Sequence, residues 1–546
     1  SVVWFNAGYL RDKLHPGAAL RVQGKVGSYN DYFQMTNPTW QLIDEQQDAP
    51  PAADERLRPI YPATENLSSG VIEQLIDQAL PALLPQIDDP LDPEFLQVRE
   101  MPSLAEAYRR VHQPSGEDEA ASGRRRLAYN ELLLLQLGVA MRRHQTRHHV
   151  TAPALRFSDA IDRHIRERFP FQLTDAQEKV VREIAEDLQR TQPMNRLLQG
   201  DVGSGKTVVA LYAMLMAVAQ RKQAVLMAPT ALLAEQHYLS ISAMLEGSNV
   251  RIALLTSAIA RQADRADALR AALAEGSIDL VIGTHALLTE SVRFHDLAVA
   301  VIDEQHRFGG LQRAGFRASG REGRDVPSAP HTLVMTATPI PRSLSLTVFG
   351  DLDVSTIDAL PPGRTPIKTR VVGQDKVDDV YRFVADRVAR GDQAYVVVPT
   401  IDDTGSEMTQ GLKNLRSHVR HLQNKYFPDR HVLRVHGRLK RQTRQRVMEQ
   451  FRAGEGEVLV ATTVIEVGVD VPNASVMVVE HAERFGLAQL HQLRGRIGRR
   501  SGGPQPVCVF LAEPTTPEAQ QRMDVIGSTT NGFRLAEKDL EIRGIG

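Results

Sequence analysis

Gly200-Asp201-Val202-Gly203-Ser204-Gly205-Lys206-Thr207 sets small, pliable residues ahead of a cation and a hydroxyl, in the spacing G-x-x-x-x-G-K-[ST]. With Gly200, Gly203 and Gly205 in place, successive backbone N–H groups can wrap phosphate oxygens, and a following helix adds favourable dipole charge. Lys206 would neutralise the β and γ phosphates of a nucleotide, and Thr207 would ligate Mg²⁺. Downstream, Asp303-Glu304-Gln305-His306 follows the apolar run Val299 to Ile302. A carboxylate at such a strand end can hold a metal's water shell, a role for Asp303. A second one, Glu304, can polarise the attacking water. Together these parts describe a nucleoside-triphosphate hydrolase.

Further segments begin at strand ends. Ala228-Pro229-Thr230 and Gly283-Thr284-His285 do so, and so does Thr336-Ala337-Thr338-Pro339-Ile340-Pro341-Arg342. Small hydroxyls and free N–H groups there suit phosphate contacts that ignore base sequence, which makes Pro229, Thr230, Thr284 and His285 candidate DNA contacts. Each is equally an ordinary helix cap when taken alone. The second half of the chain has no phosphate loop and offers cations instead. Gln492-Leu493-Arg494-Gly495-Arg496-Ile497-Gly498-Arg499-Arg500 concentrates guanidinium groups around two glycines. Arg496 and Arg499 share a face if the segment is helical, and across a cleft they could stabilise charge on the transferring phosphoryl group. A basic run for solubility or for DNA phosphates is the alternative. Thr462 and Thr463, after another apolar strand, could contact DNA, and Asp470 could reach the nucleotide. His436-Gly437 is a further strand-end turn and gives His436 as a DNA candidate.

Positioning these residues takes two series of short buried strands alternating with amphipathic helices, the pattern of parallel sheets with crossover helices. The chain of 546 residues is long enough for about three or four domains. The expected division is a partial small β-barrel at 1–46, a linker and helical region at 47–160, a first α/β lobe at 161–360, a second at 361–505 and a C-terminal element at 506–546. In the barrel, Leu20 to Val26 alternates as one strand and Gly27 to Asp31 makes a turn. In the helical region, Leu127 to Arg143 reads as a long helix. Its basic clusters, among them Arg124-Arg125-Arg126, read as solvated helix ends or as a DNA-facing stripe. Asp358 to Gly363 is the expected hinge between the lobes.

Composition excludes several classes. Apolar residues make up 42% and the formal net charge is -1, so the chain can bury cores and shows no bulk attraction to nucleic acid. Any DNA surface must be a local patch. The lone Cys508 excludes an internal disulfide or a cysteine zinc site, reads as a small buried hydrophobe and fits a reducing cytoplasm. Apolar runs such as Val208 to Ala219 are shorter than the ~20 residues a membrane span needs. Ser1 opens on what reads as mid-domain sequence and the chain stops without a polar tail, so both ends are expected to be truncated.

In this order, the motifs resemble the superfamily 2 helicases over about residues 171–505. The resemblance implies an α/β fold with two RecA-like parallel-sheet lobes, and ATP and Mg²⁺ as cofactors. It carries Lys206, Thr207, Asp303, Glu304, Gln492, Arg496 and Arg499 into the catalytic and metal-binding roles above. Phe171 and Gln177, in Pro170-Phe171-Gln172-Leu173-Thr174-Asp175-Ala176-Gln177, resemble the family's adenine-reading segment.

Within that superfamily the chain resembles the bacterial branched-DNA helicases. Gln199 to Thr207 and Asp303-Glu304-Gln305-His306-Arg307-Phe308-Gly309 are close to their versions. So is the tail Asn531 to Gly544, which in that family, and in the transcription-repair coupling translocase, opens an element coupling the motor to duplex DNA. Here Ile545 stands where the pattern has Pro. Trp4-Phe5-Asn6-Ala7-Gly8-Tyr9-Leu10 resembles the family's wedge, an oligonucleotide-binding (OB-fold) barrel, and Phe5 and Tyr9 match aromatics that could stack on unpaired bases. Two core aromatics of a small barrel are the alternative. The resemblance implies remodelling of stalled forks and Holliday junctions in repair and recombination. It implies a cytoplasmic, nucleoid-associated monomer whose partner is branched DNA, with single-strand DNA-binding protein as a candidate partner. A polymerase-linked duplex translocase and an ATP-gated junction-binding module stay open as alternatives.

Overall fold

The computed structural model describes every residue except 6–9, 11–13, 30, 31, 43–56, 58, 65, 66, 290, 304–327, 338, 342–349, 362–364, 400–407, 438, 463–470, 501 and 544–546. The chain divides into two units, Ser1–Leu134 and Leu135–Gly546.

The first unit opens with short strands. β1 (Val2–Val3) runs parallel to β4 (Tyr32–Thr36), which pairs antiparallel with β3 (Val26–Tyr29), while β2 (Leu20–Gln23) pairs antiparallel with β5 (Thr39–Leu42). The expected single strand over Leu20 to Val26 is broken at Gly24 and Lys25. A Cβ on Gly24 would stand 3.0 Å from Pro38 Cβ, a tight contact that glycine avoids. The expected turn is also displaced. Gly27 to Tyr29 lies in β3, with Tyr29 opposite Tyr32, which leaves only Asn30 and Asp31 between the strands.

Helices α1 (Ser69–Leu83), α2 (Pro93–Val98) and α3 (Leu104–His112) follow, and α4 (Glu117–His149) begins in this unit. α4 contains the expected Leu127 to Arg143 helix and extends it at both ends. Arg126 fits neither expected reading. It is fully buried, and its guanidinium donates to Asp89 Oδ1 at 2.6 Å and to Pro102 O at 3.1 Å.

In the second unit, lobe 1 is a seven-stranded parallel sheet. Its strands are β6 (Asn195–Gly200), β7 (Gln223–Met227), β8 (Ile252–Leu255), β9 (Leu280–Gly283), β10 (Leu297–Asp303), β11 (His331–Thr336) and β12 (Asp353–Ile357), in the order β12-β6-β11-β10-β7-β9-β8. The inner strands β7, β9, β10 and β11 are runs buried on both faces, as parallel strands are, while the edge strands β8 and β12 are partly exposed. Around them lie α5 (Asp159–Arg166), α6 (Asp175–Leu188), α7 (Lys206–Val218), α8 (Ala231–Met244), α9 (Ser257–Ala260) and α10 (Ala263–Glu275). α7 is apolar all round because it is wholly enclosed, with Val208 to Ala217 buried. Lobe 1 starts earlier than the expected 161. Leu155 is in its core and its N–H donates to Leu188 O at 2.7 Å.

Lobe 2 is a six-stranded parallel sheet of β13 (Lys368–Val372), β14 (Gln393–Val397), β15 (Val432–Val435), β16 (Val458–Ala461), β17 (Ala474–Val479) and β18 (Val507–Leu511), in the order β13-β18-β17-β14-β16-β15. Its helices are α11 (Val377–Ala389), α12 (Met408–Lys425), α13 (Arg441–Ala453) and α14 (Leu487–Arg494), with α15 (Pro517–Ser528) and α16 (Gly532–Arg543) after the last strand. The expected boundary at 505 therefore falls short. β18 is an all-buried run inserted between β13 and β17 and belongs to the lobe. It carries Cys508, whose thiol burial pushes up to about 12, as suits a core side chain. Among the described residues no helix is long and apolar enough to cross a membrane.

Candidate nucleotide and nucleic-acid site

Asp303 ends β10, and the phosphate loop, Thr230, Thr284, His436 and Thr462 follow the carboxyl ends of their strands, where open α/β sheets bind ligands. The phosphate loop leaves β6 and enters α7. Gly203 and Gly205 hold φ of +77° and +86°, a left-handed backbone that glycine adopts without strain. A Cβ on Gly205 would also meet Gln177 Nε2 at 2.2 Å. Lys206 Nζ donates to Gly200 O at 2.7 Å and to Asp201 O at 2.9 Å, so its ammonium lies over the loop itself. Thr207 is the second residue of α7.

Gln177 is buried, with one bond at each end of its amide. Its Oε1 accepts from Thr174 N, closing the first turn of α6, and its Nε2 donates to Ser204 O at 2.9 Å. Phe171 is 48% exposed and stacks against Phe169 with centroids 6.4 Å apart.

Asp303 ends β10. One strand, β11, lies between it and β6, which sets the end of β10 about 10 Å from the phosphate-loop strand. That gap suits a small hard cation that keeps part of its water shell. The donors fit Mg²⁺: the Thr207 hydroxyl at the start of α7 and the Asp303 carboxylate at the end of β10. No cluster of three acidic, histidine or cysteine side chains is found among the described residues, so phosphate oxygens would have to complete the set. Asp303 Oδ2 accepts from His237 Nε2 at 2.8 Å.

Lobe 2 meets the phosphate loop through the end of α14. Gly495 packs so closely that a Cβ on it would stand 2.7 Å from Val202 Cβ. His491 Nε2 donates to Asp201 Oδ1 at 2.5 Å, and Asp201 Oδ2 accepts from Gly532 N at 3.4 Å. Burial works to raise the Asp201 carboxyl. The bond from His491, with the N–H groups of Val202 and Gly532, outweighs it and holds the carboxyl below its usual value. Arg494 Nη2 donates to His491 Nδ1, which leaves Nε2 as the ring nitrogen that donates to Asp201. Gln492 is buried on the same helix.

The helix stops at Arg494, so Arg496 and Arg499 do not share a helical face as expected. Gly498, at φ +71°, turns the chain between them. Both arginines are half-buried in the segment that follows the Gly495 contact.

Pro229 and Thr230 follow β7, while Thr284 and His285 follow β9, the adjacent strand. Thr230 Oγ1 caps α8 by accepting from Leu233 N, and a hydroxyl keeps its own proton to donate elsewhere. Thr284 is buried and its Oγ1 has no partner among the described residues. His436 follows β15 and Thr462 follows the neighbouring β16. Phe5 is 62% exposed, and Asn37 Oδ1 accepts from its N–H at 2.7 Å. It is not the core aromatic of the alternative reading. Tyr9, Glu304, Thr463 and Asp470 lie outside the described residues.

Asp201, His237 and His491 were not among the expected residues. Asp201 fills a variable position of the loop pattern, and the histidines lie in helices where no spacing rule marks them.

A family model for DEAD/DEAH box helicases matches residues 174–346, and one for the helicase conserved C-terminal domain matches residues 375–501. Two parallel-sheet lobes with this phosphate loop define a superfamily 2 helicase motor. The chain is 41% identical to the ATP-dependent DNA helicase RecG of Synechocystis sp. over 535 residues, 97% of this chain and 62% of that protein. It is 39% identical to RecG of Bacillus subtilis over 549 residues, 100% of this chain and 77% of that one. A solved structure of RecG bound to a three-way DNA junction superposes with a TM-score of 0.74 at 37% identity, covering 100% of this chain and 70% of that one. The chain belongs to the RecG family of ATP-dependent DNA helicases. It spans 62% of the Synechocystis relative's length and 77% of the Bacillus one's.

Proposed function

We propose that the chain is an ATP-driven motor that moves on DNA and remodels branched DNA, namely stalled forks and Holliday junctions, in repair and recombination. The observation that carries this reading is the lobe contact at the phosphate loop, Gly495 against Val202 and His491 on Asp201. It sets the arginine-bearing segment of one lobe beside the nucleotide loop of the other. Lys206 exchanges the Gly200 and Asp201 carbonyls for the β and γ phosphates. Thr207 and Asp303 hold Mg²⁺, which neutralises phosphate charge when bound. Glu304 orients the attacking water, Gln492, Arg496 and Arg499 answer the transferring group from lobe 2, and Asp470 reaches the nucleotide. Phe171 and Gln177 recognise the base.

Differential affinity for the closed cleft turns hydrolysis into lobe motion. Pro229, Thr230, Thr284 and His285 on one lobe, with His436, Thr462 and Thr463 on the other, grip the DNA backbone and make that motion a step. Phe5 and Tyr9 stack on bases at the fork, and the exposed Phe5 ring supports this role. A monomer suffices, because one chain supplies both walls of the cleft. The single strands freed at a split fork make single-strand DNA-binding protein the expected neighbour, and the bacterial nucleoid in the cytoplasm is the expected place of work.

Lys206→Ala tests the reading. Hydrolysis should fall by at least about 100-fold, the order seen when a charge-stabilising donor is lost. Binding to a model three-way junction in a gel-shift assay should persist. A variant that still hydrolyses ATP would contradict the assignment of the loop.

A further inference from the structure

We infer that His237 is a positioning residue that fixes the Asp303 carboxylate and ties it to the helix facing DNA and lobe 2. The inference rests on the nucleotide-site reading above and goes beyond it, because His237 has no part among the residues that reading assigns to the nucleotide, the metal or DNA.

Nε2 of His237 donates to Asp303 Oδ2 at 2.8 Å, and both side chains are only 12% exposed. A carboxylate that far from water is held in one orientation by whatever donates to it. Oδ2 is taken up by the imidazole, so the bond sets the direction of the other oxygen, the one left for a metal's water shell. His237 acts through Asp303.

What makes this more than a local brace is the helix that carries it. α8 is capped by Thr230, in the segment that leaves β7 as a candidate DNA grip. β7 is the direct neighbour of β10, which ends in Asp303. His237 comes two turns after the cap, about 10 Å along a rigid rod. Between them, Leu232 packs against the core of lobe 2, and Glu235 Oε2 accepts from Gln445 Nε2 on α13 at 3.3 Å. One helix therefore touches three things: the strand end proposed to meet DNA, the second lobe, and the metal carboxylate. A shift of α8 on binding DNA or on closing the lobes is delivered to Asp303 through the imidazole, which provides a physical route by which DNA stimulates hydrolysis.

Two substitutions separate positioning from packing. His237→Leu keeps the bulk and removes the donor. His237→Gln places an amide N–H at nearly the reach of Nε2. Binding of a fluorescent ADP analogue is measured with Mg²⁺ and with EDTA, alongside hydrolysis with and without duplex DNA and the thermal midpoint of each protein. In His237→Leu, the tightening of nucleotide affinity by Mg²⁺ should shrink about tenfold, the order found when a group orienting a metal ligand is lost. Affinity in EDTA should hold, and duplex stimulation of kcat should fall by a similar factor. His237→Gln should recover both to within about threefold of the wild type.

Full Mg²⁺ tightening and full stimulation in the leucine protein overturn the inference. So does a glutamine protein as impaired as the leucine one at an equal thermal midpoint, since only bulk and fold would then matter. A wild-type protein whose nucleotide affinity does not respond to Mg²⁺ overturns the site reading itself and this inference with it, and is recognised before any variant is made.

Discussion

At the base of lobe 1 a histidine is held neutral by its surroundings. His331 is fully buried in β11; its Nδ1 accepts from Met194 N at 3.0 Å and its Nε2 donates to Pro153 O at 3.0 Å. Burial lowers its pKa from 6.5 to about 4, the bond to Pro153 only partly opposing this. The folded value lies below the unfolded one, so the unfolded chain binds the proton more readily. Stability from this group is complete above about pH 6.5 and is lost as pH falls towards about 4, where the loss reaches roughly 3 kcal/mol. Urea unfolding across that window should show the wild type losing more stability than His331→Gln, whose starting stability is lower and whose acid slope is flatter. Equal slopes would mean that the ring is not held neutral. This residue was invisible in the sequence for the same reason as Asp201 and His237. Lys206 and Thr207 declare themselves through neighbours a few positions away. His331 meets Met194 across 137 residues, His237 meets Asp303 across 66, and His491 meets Asp201 across 290. Only the folded sheet brings these partners together.

Helices and strands were legible where a period or a buried run repeats, as in β7, β9, β10 and β16. They were misread where one glycine decides. Gly24 breaks the expected first strand at its approach to Pro38, and α14 ends at its C-cap Gly495, ahead of Arg496 and Arg499. Arg126 is a different case. A run of three arginines reads as surface, yet α4 turns its third member inward onto Asp89. Asp89 also accepts from Leu91 N at 3.0 Å and from Leu104 N at 2.7 Å, so the pair pins the start of α3 to α4. Removing one partner of a buried pair leaves the other uncompensated, at a cost of about 3–5 kcal/mol. Arg126→Ala should therefore lower the unfolding midpoint markedly, while Arg125→Ala, at an exposed neighbouring position, should move it little. A silent Arg126→Ala would mean that the ion pair does not brace the unit.

Across the whole molecule, the phosphate loop of one lobe and the arginine segment of the other meet through Val202 and Gly495, and the first residue of α16 reaches the same loop at Asp201. The order of motifs along the chain announced two lobes. The side chains that join them gave no such notice, because Val202 and Gly495 carry no chemistry of their own. The central claim is that this joined motor serves branched DNA. Its most direct test is steady-state ATP hydrolysis without DNA, then with single strands, linear duplex and a model fork, with Lys206→Ala as control. The account predicts the strongest stimulation by the fork and none in the control. Equal stimulation by linear duplex, or none by any DNA, would contradict it.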